Sequence, residues 1–450
     1  LMSFSYVNNP GVVARTGTER FQLRTNVSSQ VTKWLEIGTK LWGYEGTREL
    51  SDFSSASGYM SRATPGIYPY YDGKYGWMEN SEQSSSSRNN LYFINRFGGE
   101  EKTHYVNAAI FANVKLPYRI KYNVSFNYAR SSSEHKYYGK TCNAFSFSKN
   151  DWAYRYEDLT KLALTQTDKG TYRWTFQNNF AWDYTFAEKH DLTALVGFEA
   201  MYSNSSNLTA KKTGFAQDKL VEFDTATTVT SIDGTQTDFA TASFFGRLTY
   251  AYDNRYLFET NLRYDGSSRF YNKKWGLFPS VAAGWRISQE SFFKNSGVTE
   301  YINNLKLRVS WGRLGNEYIS SNYTGYPTLS TDSYYDFNGT QVAGAAITEL
   351  SNKDTSWETS EQTNIGLDIG IWNRFSLTAD IFYKKTTDIL MKLPIPPSLI
   401  GNVNGGPYQN AGSMENKGLE LTLNYRQTYR NKMYVDATFT TTFLRNKILD

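Results

Sequence analysis

The sequence predicts an all-β chain built as a transmembrane antiparallel β-barrel, and three observations carry that prediction. Apolar and polar residues alternate with period two over runs of ten or more residues. Aromatic residues gather where those runs turn. The turns are short at one end of the runs and mostly long at the other. Successive side chains leave opposite faces of a pleated strand, so each run divides an oily face from a charged one. Strands of soluble sandwiches usually stop after about 5–6 residues, whereas an oblique bilayer crossing takes ~9–11. A soluble all-β domain is the rival reading.

The plainest alternation lies in 243–287. Phe244, Leu248, Tyr250 and Tyr252 fall on one face, and Ser243, Arg247 and Thr249 on the other. Beyond Asp253-Asn254, Tyr256, Phe258, Leu262 and Tyr264 oppose Glu259, Asn261, Arg263 and Asp265. From Trp275 onward, Val281, Ala283, Trp285 and Ile287 oppose Ser280, Ala282, Gly284 and Arg286. Tyr250, Tyr252 and Tyr256 bracket the turn, where an aromatic girdle meets headgroups.

Taken in order, residues 1–7 read as a strand, and 21–27 pairs with 34–41 across a turn near 30–33. A loop at 45–103 holds Gly66-Ile-Tyr-Pro-Tyr-Tyr-Asp-Gly-Lys-Tyr-Gly-Trp77 and a serine-rich run at 81–87. Strand 106–114 turns at Leu116-Pro117-Tyr118 into 120–128, and a loop covers 131–170. The strand beginning at 172 turns near Ala187-Glu188 into 192–201, and a loop at 202–239 precedes the central run. Strand 305–311 is followed by a loop at 312–359. Strand 365–371 turns at Trp372-Asn373-Arg374 into 375–383. A loop at 386–412 leads to 419–425, and 433–443 comes last. That makes about fourteen full strands. In outer-membrane barrels the short turns are periplasmic and the long loops extracellular. Loops beyond ~12–15 residues are uncommon in compact domains unless functional. A chain that opens in mid-strand and stops at Asp450 just after another strand reads as an internal stretch of a longer protein.

Composition narrows the function. Across 450 residues mean hydropathy is −0.57 and aromatics make up 16%. No apolar run approaches the ~20 residues of a membrane helix, and a barrel needs none. The net charge of +5 is spread along the chain rather than clustered, which argues against nucleic acid. Cys142 stands alone, so no internal disulfide forms. His104, His135 and His190 have no metal-ligand spacing, and no nucleophile elbow occurs. The chain is therefore not read as an enzyme, and no metal site is assigned.

On the alternating strands Leu248, Leu262, Val281, Trp285, Leu307, Val309, Ile369 and Leu421 are expected to face lipid. Arg247, Glu259, Arg263, Asp265, Arg286, Lys306, Arg308, Asp368, Asp380 and Glu420 are expected to line the lumen. Either they edge a permeation route, or they pair across neighbouring strands and hold what fills the barrel, which is ordinary for a polar interior. In the loops Tyr68, Tyr70, Tyr71, Tyr75, Trp77, Tyr334, Tyr335 and Trp357 sit among Gly, Asn, Asp and Ser. Rings with polar neighbours suit sugars, whose C–H faces stack while hydroxyls hydrogen-bond. The plainer reading is that the rings pack the loops or meet a partner. Asp332-Ser-Tyr-Tyr-Asp336 offers oxygens for a loop Ca²⁺ but no full ligand loop, so solvation is the plainer reading there too. No other cofactor is expected.

Several stretches resemble the SusC-like (RagA-type) TonB-dependent transporters of outer membranes. They are Ser243-Phe-Phe-Gly-Arg-Leu-Thr-Tyr, Asn261-Leu-Arg-Tyr-Asp-Gly-Ser-Ser-Arg-Phe270, Trp275-Gly-Leu-Phe-Pro-Ser-Val-Ala-Ala-Gly-Trp-Arg286, Leu305-Lys-Leu-Arg-Val-Ser-Trp-Gly and Asn410-Ala-Gly-Ser-Met-Glu-Asn-Lys-Gly-Leu-Glu420. The resemblance runs along essentially the whole chain and implies a 22-stranded barrel. It also implies an N-terminal plug, a SusD-like lipoprotein lid, and energy from TonB-ExbB-ExbD through the N-terminal region. No plug domain or TonB box is readable in these residues, which resemble the middle of the barrel. The implied activity is import of a bulky nutrient across the bacterial outer membrane, an oligosaccharide first and an oligopeptide second. The alternative from another class is a passive porin-like channel, because open 16–18-stranded barrels conduct while the 22-stranded kind is plugged.

Overall fold

Fifteen strands pair edge to edge in a single sheet, each antiparallel to its neighbours. The computed structural model describes residues 1–62, 65–79, 89–217, 219–396, 406–429 and 432–449. The chain opens with β1 (Met2–Asn9), β2 (Thr18–Gln30) and β3 (Leu35–Glu49). Helix α1 (Phe53–Met60), the short β4 (Tyr75–Gly76) and helix α2 (Asn90–Arg96) then lead to β5 (Phe97–Lys115) and β6 (Ile120–Gly139). Two loop strands, β7 (Cys142–Ser146) and β8 (Asp151–Tyr156), precede the longest ones. Those are β9 (Ala163–Phe186), β10 (His190–Phe215) and β11 (Ala226–Tyr252). Next come β12 (Tyr256–Ser267), β13 (Trp275–Arg286), the one-turn α3 (Ser291–Lys294) and β14 (Ile302–Asn316). A separate hairpin, β15 (Thr328–Phe337) with β16 (Thr340–Glu349), precedes β17 (Glu358–Ile371) and β18 (Phe375–Thr387). The small pair β19 (Leu390–Lys392) and β20 (Tyr408–Asn410) precedes β21 (Ser413–Thr428) and β22 (Tyr434–Leu449). The large sheet runs in chain order and leaves out β4, β7, β8, β15, β16, β19 and β20.

Alternate connections are tight, except that between β13 and β14, which spans 287–301 and holds α3. Between β9 and β10, β11 and β12, and β17 and β18, both central turn residues have positive φ: Ala187 and Glu188 at 49° and 59°, Asp253 and Asn254 at 49° and 54°, Trp372 and Asn373 at 53° and 55°. This is the hairpin turn whose twist matches the strands it joins. Asp and Asn tolerate the left-handed region. Ala187, Glu188 and Trp372 occupy it at roughly 1–2 kcal/mol each, offset by the ladders on either side.

Two belts of rings mark the height of the membrane. At the tight-turn end Trp182, Tyr184 and Phe186 stack in sequence at 5.8 and 6.3 Å, and Phe186 stacks on His190 at 4.5 Å. At the other end Tyr128, Tyr172, Trp174 and Tyr202 lie against one another at 6.0–6.4 Å. The part of β9 from Trp174 to Tyr184, rising about 3.3 Å per residue at a tilt of about 40°, is about 25 Å tall. That equals the apolar band between aromatic girdles in barrels of this kind.

The strands at 202–239 differ from expectation. In place of a loop, β10 and β11 stay paired as far as Phe215 and Ala226. Strands β9, β10 and β11 reach 24, 26 and 27 residues, far more than a bilayer needs. The expected loops at 45–103, 131–170 and 312–359 shrink likewise, because β3, β5, β6 and β14 also outrun the membrane, while the loop at 386–412 keeps nearly its expected bounds. Above the upper belt both faces meet water, so apolar alternation disappears while pairing continues. Hydroxyl pairs help hold it there: Thr167 with Thr209 and Thr171 with Ser205, both at 3.1 Å. Periodicity cannot see a strand that is wet on both sides.

Buried apolar clusters lie at the long-connection end. One joins Ala56, Tyr92, Phe93, Ile94, Cys142 and Ala144, and a second joins Leu162, Leu164, Phe215 and Ala226.

Candidate functional site

Register sorts the face opposite the exposed leucines and rings into rows of charge. Gly284, Arg308, Gly366, Asp380 and Glu420 stand side by side in one row, and Arg286, Lys306, Asp368 and Thr378 in the next. Arg308 has glycine on both sides, so its guanidinium lies flat across Gly366. It donates to Asp368 at 2.8 and 3.0 Å and to Asp380 at 3.1 Å. A Cβ on Gly366 would collide with an Asp380 carboxylate oxygen and stand 2.7 Å from Arg308 Cζ. Arg247 pairs with Glu259 at 2.9 Å, and Arg263 holds Asp265 through two bonds of 3.1 and 3.2 Å. Mutual pairing thus accounts for seven of the ten expected lumenal charges. Arg286, Lys306 and Glu420 have no ion pair among the described residues.

The same face carries rings that sequence reading passed over. Phe111, Phe245, Phe278 and Phe382 lie over Gly38, Gly197, Gly315 and Gly418, where a Cβ would run into the ring. The usable signal was a glycine beside an inward aromatic on the neighbouring strand, a known pairing in curved sheets.

The eight loop aromatics divide. Trp77 stacks on Tyr154 at 5.1 Å, and Tyr75 and Trp77 pack against the cluster around Tyr92. Trp357 is wedged between Phe270 and Phe278 at 5.5 and 5.3 Å, and its indole N–H donates to the Lys274 carbonyl at 2.9 Å. These three rings pack the loops. Tyr68, Tyr70 and Tyr71 stay exposed, Tyr71 by 63%, with Tyr68 and Tyr71 edge-on to Phe147. On the β15–β16 hairpin Tyr334 and Tyr335 are 59% and 67% exposed, and Tyr335 leans on Phe337 at 4.8 Å. Asp336 accepts from Gly339 N–H at 2.7 Å and so closes its own turn, while the Asp332 side chain falls outside what the structure describes.

Residues 13–449 match the TonB-dependent receptor-like β-barrel family. The chain belongs to that family. Its barrel is thus one of the outer membrane, crossing with strands. A TonB-dependent receptor of Formosa agariphila is 29% identical over all of this chain and 44% of its own length. The TonB-dependent receptor SusC of Bacteroides thetaiotaomicron is 36% identical over 47% of this chain and 22% of its own. The solved RagAB peptide transporter superposes with a TM-score of 0.82 at 24% identity, over 99% of this chain and 49% of that one. At that identity the likeness is one of fold. The chain spans less than half the length of these relatives.

In this TonB-dependent receptor barrel, two polar residues build the loop that presents Tyr68 to Tyr71. Asn89, nearly fully buried, caps α2 by accepting from Leu91 and Tyr92 N–H at 3.0 and 3.3 Å. Its amide donates to the Tyr68, Pro69 and Gly76 carbonyls at 3.3, 2.7 and 2.9 Å. An Asn ahead of the run Leu-Tyr-Phe-Ile was a readable cap. Glu79 accepts from the Ser146 and Ser148 hydroxyls, both at 2.6 Å, and from Phe147 and Ser148 N–H at 2.9 and 3.0 Å. Partial burial pushes the Glu79 carboxyl up. The four hydrogen bonds outweigh it and hold the group below its usual range. A depressed carboxylate stabilises the fold above its unfolded pKa, and that stability is lost as pH falls through the lower folded value. In the full-length protein, amide protection at 142–156 should therefore persist through the ordinary Glu range and collapse only at lower pH. Glu79→Gln should loosen the same amides already at neutral pH, and hydrogen exchange reads both. Cys142 is buried in this cluster, and burial pushes its thiol up to about 11.

Proposed function

We propose that the barrel is the wall of an importer that admits a bulky nutrient, with TonB coupling through an N-terminal region and a SusD-like lipoprotein over the mouth. The carrying observation is the pair of exposed aromatic groups, Tyr68–Tyr71 and Tyr334–Tyr335, raised on the long-connection end of a TonB-dependent receptor barrel. Rings that keep about half or more of their surface in solvent, among hydroxyls and amides, fit stacking on sugar faces. An oligosaccharide is accordingly the first cargo. An oligopeptide is the second, favoured by the fold shared with the RagAB peptide transporter. Family membership favours a gated route over an open pore, and no reaction is catalysed. The polar-face charges Arg286, Lys306 and Glu420, which have no ion pair among the described residues, are the ones left to meet a plug or cargo.

The test is uptake by the full-length transporter of labelled oligosaccharide and labelled oligopeptide in parallel. Tyr68→Ala with Tyr71→Ala is expected to cut sugar uptake by about tenfold, as loss of one or two stacking contacts would, and to leave barrel assembly intact. Unchanged sugar uptake with reduced peptide uptake would transfer the assignment to peptide. Trimming 50–96 should also weaken co-purification of the lid lipoprotein, since its interface must exceed the ~1,600 Å² of a standard complex to cover a wide mouth. Retention of the lid after every long connection is trimmed would remove these loops as its seat.

A further inference from the structure

Five cations share one stretch of the inner wall with no carboxylate among them. Register sets four successive rows across β2, β3, β5, β6, β9 and β10, in step with Gly38 and Phe111 on the polar face. The uppermost row holds Arg20 beside Gly46, and the lowest holds Asn26 beside Lys40. These rows carry Arg20, Arg24, Lys40, Lys169 and Arg173 and not one Asp or Glu. No side chain of the five has an ion pair or hydrogen bond among the described residues. Arg20 and Lys40 lie over rings instead, at 4.0 Å from the centre of Tyr44 and 5.3 Å from that of Phe111. Arg20 Nε is buried there without a hydrogen-bond partner. A concave wall of one sign focuses the field and concentrates anions against it.

A cluster of rings stands in the same rows. Tyr44 stacks on Tyr105 at 5.3 Å, and Trp42 leans on the two at 5.9 and 4.9 Å. Trp42 still keeps 37% of its surface in solvent. Asn127 donates to Asn107 Oδ1 at 2.8 Å, and the Asn107 amide donates to the Tyr105 hydroxyl at 3.3 Å. The Tyr105 hydroxyl is thereby held as an acceptor, with its own proton left for a ligand. Arg24 is the direct partner of Trp42, and beyond Asn107 and the small Ala129 the same row ends its run of cations at Arg173. Four strand spacings, about 19 Å of backbone, separate the two arginines. That is the span of an oligomer, not of one sugar. Arg173 lies between Tyr172 and Trp174 of the upper belt but on the opposite face, so the cluster sits at the outer mouth of the lumen.

We propose that this wall is a subsite for an acidic oligosaccharide, one whose sugars carry carboxylate or sulfate. Arg24 and Arg173 take the anionic groups, Trp42 takes a sugar face, and Asn107 and Tyr105 take hydroxyls. A neutral sugar would use the rings and leave the cations unpaired. An acidic peptide would use the cations and gain less from an indole set beside an amide and a hydroxyl. The inference narrows the cargo of the proposed importer and rests on that reading.

The test is calorimetry on the full-length transporter in detergent. The probes are tetragalacturonate, a sulfated galactan tetrasaccharide, the neutral methyl ester of tetragalacturonate, and tetraglutamate. At least one acidic sugar is expected to bind more tightly than the ester, and added salt should erase the difference. Arg24→Gln with Arg173→Gln should weaken the acidic sugar by about tenfold or more, the scale of hydrogen bonds to charged groups, and leave the ester unchanged. Trp42→Ala should weaken both. Unaltered heat-modifiable mobility on gels confirms that each variant is folded. Equal binding of the acidic sugars by the double variant, or no binding of either, would overturn the proposal. Tighter binding of tetraglutamate would give the wall to peptide. A double variant that binds normally but melts earlier would make the cations a seat for the plug. Uptake of the same probes by cells separates this inference from the importer reading. Charge-dependent binding without uptake would sustain the site and remove the importer, whereas uptake of the neutral ester alone would do the reverse.

Discussion

Arginine at Leu307 is expected to cost the assembled barrel ~2–4 kcal/mol, and arginine at Ser310 far less. Leu307 lies in an apolar row with Trp285, Leu367, Ala379 and Leu421, midway along the Leu305–Trp311 part of β14. A guanidinium there must leave water or drag water into the bilayer. Ser310 is three residues along on the opposite face, between Ala282 and Asn364, where the barrel interior supplies water and polar neighbours. The comparison holds strand and substituent constant, so only the face differs. Urea unfolding of the full-length protein in detergent or lipid measures it. Equal losses at the two positions would mean that the faces are assigned the wrong way round.

The second large effect is expected at Gly366. Its α-hydrogen, standing where a Cβ would be, faces the guanidinium of Arg308 and the carboxylate of Asp380, so alanine there must push both groups aside. The hydrogen bonds at risk are those of 2.8 and 3.0 Å to Asp368 and 3.1 Å to Asp380. Bonds to charged groups contribute about 1.5–3 kcal/mol each. The cluster is only partly buried, with 32% of the Arg308 side chain exposed, so solvent screens part of that. A loss of about 2 kcal/mol is the expected outcome for Gly366→Ala. Arg308→Met should cost at least as much, because it removes the cation that bridges Asp368 and Asp380, with Glu420 beside Asp380. Adding Asp380→Asn to Arg308→Met should restore part of the loss, and the Gly366→Ala penalty should shrink in the Arg308→Met background. Residues in contact couple in this way, whereas independent ones add. Strict additivity would show that the glycine has another reason to be there.

Much of the barrel was legible because lipid leaves a periodic signature. Wherever one face meets hydrocarbon and the other water, residues must alternate, and 243–287 declares three strands and two faces without any structure. The tight turn at Asp253-Asn254 was readable because those residues accept positive φ. The turn at Trp372-Asn373 was placed only by the alternation on either side of it. Trp357 was misleading as a ligand candidate, since composition cannot tell a ring presented to solvent from one wedged between Phe270 and Phe278.

Sequence by itself determined which residues share a face, which strands neighbour each other and which family the barrel resembles. These follow from local rules: a period of two, short links, and apolar groups excluded from water. Tertiary structure alone decided that β10 and β11 run on as a hairpin beyond the membrane, where water on both sides removes the alternation. It alone decided that Arg308 reaches over Gly366 to Asp380, because that contact joins three strands whose relative register no single strand encodes.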